Sequence, residues 1–251
     1  MNQSFYIGAV GAQQQLLRLG VHGNNIANGN TYGFKAKKAR FAALMYRDIR
    51  SAGGEELPVG TGTALWATNT DFNAAPVVDT GRPQDYTIAG SGFFAVVDLA
   101  TNEVLLTRSG AFNMAQLQRP TGETNEETGE MEMETVWYLS DQEGRFVLSE
   151  TGGMIEMDPE HARDPQPVGI FDYGNYDGMQ NVSDTRFRAV EKNGGLRLGT
   201  GTLVQGKLEN SNTDLAEEFT KVIEAQRAYQ MALRMVTTSD EIESTINGLR
   251  S

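Results

Sequence analysis

The chain of 251 residues contains no cysteine, which excludes disulfides and thiolate metal sites. Histidine is almost as scarce: His22 and His161 lie far apart and do not make a histidine-rich metal site. No apolar run approaches the roughly 20 residues needed to span a bilayer, so no transmembrane segment is expected. Basic residues are outnumbered, 21 against 33 acidic, and the net charge of -12 argues against nucleic acid or an anionic membrane as partner. The first residues, MNQSFYIGAVGAQQQ, carry no basic group before Arg18 and no long apolar core, so they do not read as a secretory signal. Catalytic spacing is missing as well. Gly60-Thr61-Gly62-Thr63 and Gly90-Ser91-Gly92 have neither the lysine and helix start of a phosphate loop nor the G-x-S-x-G of a nucleophile elbow. Asp71, Asp79 and Asp85 supply carboxylates of the kind that hydrolyse glycans, but nothing singles them out in so acidic a chain. No catalytic, cofactor or metal residue is expected, and no small-molecule substrate.

What the chain does have is concentrated at its ends. Thr213–Leu249 holds no proline and one glycine, Gly248. Ala225, Ala228, Ala232, Met235, Ser239, Ile242, Ile246 and Leu249 recur at spacings of 3-4-3-4-3-4-3. A neighbouring row of Leu215, Phe219, Val222, Gln226, Tyr229, Leu233 and Val236 keeps the same rhythm, the mark of a helix packed along another helix. Asp214 is placed to cap it, with Glu217 following in the first turn. Such a helix is roughly 50 Å long, too long for one small domain to hide.

A second seam runs through residues 4–28: Phe5, Ala9, Ala12, Leu16, Leu19, Gly23 and Ile26. Gly8, Gly11, Gly20 and Gly23 lie inside it, each costing about 1 kcal/mol of helix propensity relative to alanine. The expectation is a segment disordered in an isolated monomer and helical in an assembly. Asparagine and glycine then crowd residues 24–35, where left-handed backbone closes helices and makes turns. Lys35, Lys37, Lys38 and Arg40 form a basic cluster, read as a solvated face or a contact for a neighbour's carboxylates. Phe41–Ile49 is expected as a short helix.

All seven prolines fall between Pro58 and Pro167. The span from about 50 to 208 is punctuated by turns between short β-type runs at 64–67, 86–89, 93–98, 104–107, 136–139, 145–148, 154–157, 168–171 and 203–208. Gly122–Glu134, with six glutamates and no basic residue, is expected as a solvated loop, and Met157–Val168 as another. The fold class is therefore α+β. Long N- and C-terminal helices form a coiled-coil-like pair, and a mostly antiparallel β domain is inserted between them. The expected segments are 1–49, 50–208 and 209–251. Pairing the two helices still leaves Phe219, Val222 and Leu233 uncovered, a drive to associate with other copies.

The two ends resemble a known family. GNNIANGNTYGFKAKKARF, residues 23–41, is similar to the N-terminal signature of bacterial flagellar axial proteins of the rod and hook. Asn24, Asn25, Ile26, Ala27, Asn28, Thr31, Gly33, Phe34 and Lys35 match its pattern, while Gly29 departs from it. The C-terminal LENSNTDLAEEFTKVIEAQRAYQMALRMVTTSDEIESTINGLR resembles the family's other terminal segment, and VDTGRPQDYTIAGSGFFAVVD with TRSGAF resembles a stretch the rod and hook proteins share. The resemblance implies a subunit of the basal-body rod, with no enzymatic role. It would be exported without a cleaved signal by the flagellar secretion apparatus and assembled with copies of itself and neighbouring axial proteins. Its terminal helices would line a tubular helical shaft crossing the cell envelope and transmitting torque for motility.

The implied assembly residues are Phe5, Ala9, Ala12, Leu16, Leu19, Asn24, Asn25, Ile26, Asn28, Gly33 and Phe34 at one end. At the other they are Phe219, Val222, Ala225, Gln226, Tyr229, Ala232, Leu233, Ile242, Ile246 and Leu249. The short connection Ser51–Pro58 leans toward the proximal rod. The competing expectations are a hook-type subunit, a rod-associated cell-wall hydrolase, and a stalked secreted binding module.

Overall fold

The computed structural model describes residues 3–44, 46–50, 56–124 and 131–249. The chain forms two compact units, one made of residues 1–29, 36–71 and 213–251 and the other of 30–35 and 72–212. Residues 36–71 thus associate with the terminal helices rather than with the residues that follow them.

In the first unit, α1 (Gln3–Ala27) pairs with α2 (Leu215–Gly248). Asp214 caps α2 as its sequence suggests, its carboxylate accepting from the amides of Ala216 at 2.9 Å and Glu217 at 3.1 Å. Among the described residues four strands complete the unit. β1 (Lys37–Ala43) runs antiparallel to β4 (Thr63–Thr70), and β2 (Tyr46–Arg50) to β3 (Glu56–Gly60). The helix expected over Phe41–Ile49 is therefore replaced by strands. Its apolar spacing is compatible with either state, and pairing with β4 decides, since β-propensity depends on the partner offered. Residues 51–55, in the connection that suggested the proximal rod, lie outside the described residues.

The second unit is mostly antiparallel β. β5 (Val77–Asp79) pairs with Lys207–Glu209, and β6 (Tyr86–Ala89) with Thr202–Gln205. Gly206, at φ +75°, separates those two partner strands, where the sequence suggested one continuous run. The main sheet is built on β7 (Phe93–Asp98) and β8 (Glu103–Thr107). Alternation on β7 sends Phe94 and Val96 into one core with Leu105, Phe112 and Leu139. Phe93, Ala95 and Val97 enter the other, with Leu106, Tyr138 and Phe187. A strand buried on both faces reads as an unbroken apolar run, which is why Phe93–Asp98 was legible.

The same sheet carries a long hairpin, β9 (Asn113–Thr124) with β10 (Met131–Ser140). Most of the glutamate-rich stretch is therefore strand rather than loop, although 125–130 lie outside the described residues. Two features explain the difference. MEMET alternates with period two before running into the apolar VWYL, a strand signal that composition hides. The stretch also borrows a cation from its partner strand, Arg119, which lies 3.9 Å from Glu134 and 2.7 Å from Glu156.

Candidate assembly interface

α1 and α2 run antiparallel. The Ser4 and Ser239 hydroxyls lie 3.0 Å apart at one end, and the His22 Nδ1 and Glu218 carboxylate 2.6 Å apart near the other. Between them Arg18 reaches Glu224 at 3.6 Å. Glycine has a definite use here. A Cβ on Gly8 would sit 3.0 Å from Val236 Cγ2 and 3.2 Å from the Ala232 carbonyl, so its absence lets the helices close. At Gly20 and Gly23 nothing lies within 4 Å. In the structure α1 is helical along its length and α2 of the same chain serves as the partner for this glycine-weakened segment. Near the start of α2, Lys221 bonds Glu217 at 2.7 Å. Burial works to lower the pKa of its ammonium, but the bond to Glu217 and the charges of Glu218 and Glu217 hold it above the usual value.

The residues buried on the two helices coincide only in part with the expected seams. α1 buries Gly8, Ala12, His22 and Asn25, and α2 buries Glu218, Ala225 and Ser239. Leu19, Asn24, Ile26, Asn28, Val222, Tyr229 and Ala232 are half-buried. The other expected interface residues of the helices face outward: Phe5, Ala9 and Leu16 on α1, and Phe219, Gln226, Leu233, Ile242 and Ile246 on α2, with Leu249 just beyond it. Leu16 is 57%, Phe219 54% and Ile246 52% exposed. Ile223 and Met231, outside both seam rows, join this open set.

The asparagine–glycine signature serves the single chain. Asn25 is fully buried; its side chain donates to the Lys37 carbonyl at 2.8 Å and accepts from the Lys37 amide at 2.9 Å, locking the entry to β1. Gly33 has φ +71°, and a Cβ there would lie 2.2 Å from the Ser109 amide nitrogen. Phe34 is buried beside it in sequence. Lys35, also fully buried, donates to Glu209 and to the Asn73 carbonyl, both at 2.7 Å. Glu209 further accepts from the Ala75 amide at 2.9 Å and Arg108 at 3.3 Å, while its carbonyl takes the Gly33 amide at 2.8 Å. This buried charge cluster draws on all three stretches quoted for the family resemblance, although their residues were not paired from the sequence.

Two of the three carboxylates of the glycan-hydrolysing kind have other partners. Asp71 meets Lys38 at 2.6 Å, and Asp85 accepts from the Thr80 hydroxyl at 2.7 Å. No group of side chains suited to a metal occurs among the described residues.

Comparison with known proteins gives this arrangement a context. Residues 5–35 match the family described as flagella basal body rod protein, and residues 204–249 match flagellar basal body rod FlgEFG protein C-terminal. Over 266 residues the chain is 30% identical to the flagellar basal-body rod protein FlgG of Bacillus subtilis (strain 168), with 100% of both chains covered. The chain belongs to the flagellar basal-body rod protein family. It is also 28% identical to the FlgG protein of Caulobacter vibrioides, over 99% of this chain and 100% of that one. With the FlgF protein of the same organism it shares 27% identity, covering 96% and 95%. A rod-family chain of this kind is a structural protein of the flagellar basal body. Its two family matches take in α1 with the signature turn, and α2 with the strand that supplies Glu209.

Proposed function

We propose that this rod subunit self-assembles through the outward faces of α1 and α2 into a tubular helical shaft that transmits torque by packing alone. The observation that carries the proposal is the apolar surface left open on the helix pair: Leu16 on α1 and, on α2, Phe219 and Leu233 of one seam row, Ile242 and Ile246 of the other, and Ile223. Covering a large apolar side chain is worth about 1.5–3 kcal/mol, and correspondingly less for one already half-covered. Association costs about 4–15 kcal/mol, so several such residues must engage together. Contacts that repeat head to tail without closing a ring give an open helical polymer. Asn25, Gly33 and Phe34 act in this scheme by fixing the chain between helix and strand, not by touching a neighbour.

The partners are other copies and adjoining axial proteins, and delivery is by the flagellar export apparatus without a cleaved signal. Catalysis has no part in the proposal. Full-length likeness to proteins named FlgG favours a FlgG-type rod subunit over a hook-type one.

The test uses Leu16→Asp and Ile246→Asp. Both side chains are more than half exposed, so the purified variants are expected to melt as the parent does. Isolated basal bodies are expected to lack rods, and the cells not to swim. Normal rods built from both variants would overturn the proposal.

A further inference from the structure

Trp66 is the most exposed aromatic side chain among the described residues, 79% open in the single chain. Its exposure follows from how the β1–β4 ribbon is built. Arg40 stands opposite Ala67 and Phe41 opposite Leu65, so Trp66 is the extra residue of a β-bulge. A bulge breaks the strict alternation of faces and re-aims the side chain it carries. Leu65 and Ala67, on either side, are half-buried. The ribbon is fastened from behind to α1. Gln14 accepts from the Leu65 amide at 2.6 Å, and the Arg18 guanidinium lies over the Phe41 ring at 6.0 Å.

The surroundings of Trp66 indicate what covers it. Arg40, on the facing strand, is exposed and has no ion-pair partner among the described residues. An open indole on one strand and an open guanidinium on the strand facing it fit an apolar hollow with a carboxylate at its rim. In a chain with 33 acidic and 21 basic side chains, a second copy offers such carboxylates freely. The ribbon is also continuous, through Gln14 and Arg18, with the helix that carries the exposed Leu16 and Leu17. Tryptophan and arginine are the residue types most often found to dominate binding at protein interfaces.

We infer that Trp66 anchors the contact between neighbouring copies of this chain, its indole entering an apolar hollow of the second copy while Arg40 meets a carboxylate at the edge. The inference rests on the rod-subunit reading and adds a contact outside the helix faces.

Hydroxyl-radical footprinting of the unmodified chain tests it, with Trp66 oxidation read by mass spectrometry in the purified monomer and in isolated basal bodies. Oxidation is expected to fall at least fivefold on assembly. Equal oxidation in both states would overturn the inference whatever any variant does. Alongside it, Trp66→Ala is expected to reduce rods recovered per cell at least tenfold, Trp66→Phe to restore most of them, and both to melt as the parent does. Normal rods from Trp66→Ala, with Leu16→Asp still blocking assembly, would sink the anchor and leave the rod reading standing. Normal rods from Trp66→Ala, Leu16→Asp and Ile246→Asp alike would remove the two together.

Discussion

At the scale of single residues, the chain concentrates its constraint where Gly33, Lys35, Arg108 and Glu209 meet. Lys35 and Glu209 are both almost wholly buried and 2.7 Å apart. Arg108 approaches the same carboxylate at 3.3 Å while its guanidinium lies 5.5 Å from the centre of the Phe93 ring. Two cations and one anion, each with further hydrogen bonds, are stable only as a complete set. Removing one partner of a buried pair typically costs about 3–5 kcal/mol because a charge is left uncompensated. Glu209→Gln is therefore expected to destabilise the purified chain by that order, measured by urea unfolding. At Gly33 the positive φ alone costs an alanine about 1–2 kcal/mol, and the Ser109 backbone blocks its Cβ. Gly33→Ala should lower the melting temperature clearly, whereas Gly81→Ala, also at positive φ but with nothing within 4 Å, should lower it less. The resemblance flagged Lys35 and Glu209 separately. Sequence reasoning could not pair residues so far apart, because nothing local links them.

At the scale of elements, the helices were legible and their facing surfaces were only roughly so. A 3-4 repeat establishes that a stripe exists, while its rotation is set by where backbones approach closest. Gly8 decides that here, against Ala232 and Val236, and it turns Phe5, Ala9 and Leu16 outward. Gly8→Leu should push the helices apart and destabilise by about 1–3 kcal/mol, the usual range for overpacking. Gly20→Ala meets nothing and should stabilise the monomer by up to about 1 kcal/mol through helix propensity. Thermal melting of the two variants would show opposite signs. The strands Phe93–Asp98 and Tyr86–Ala89 were legible from apolar runs bounded by turn residues. The ribbon after Lys35 was not, nor was the β9–β10 hairpin outside the expected run at 136–139. Their sequences suit a helix or a solvated loop until an antiparallel partner is supplied, as β4 is for β1 and Arg119 is for Glu134.

At the scale of the whole molecule, the property that matters is apolar surface left open on both terminal helices. Phe219 is more than half exposed although it belongs to a regular seam row. Phe219→Asp should leave the melting temperature unchanged and raise the concentration at which the chain polymerises at least tenfold, equivalent to about 1.4 kcal/mol per contact. Sedimentation over a concentration series measures this. It also separates open-ended growth from the closed oligomer of fixed size expected of a stalked binding module.

The amino-acid sequence by itself determined the α+β class, the two terminal helices, the cap at Asp214 and the family likeness of both ends, because each is written in local spacing or local residue type. Only the tertiary structure decided which helix face is covered, that Lys35, Arg108 and Glu209 form one buried cluster, and that a bulge lifts Trp66 into solvent. The physical reason is the same each time. Burial, charge compensation and strand register arise between residues far apart along the chain, and no local pattern encodes the distance between them.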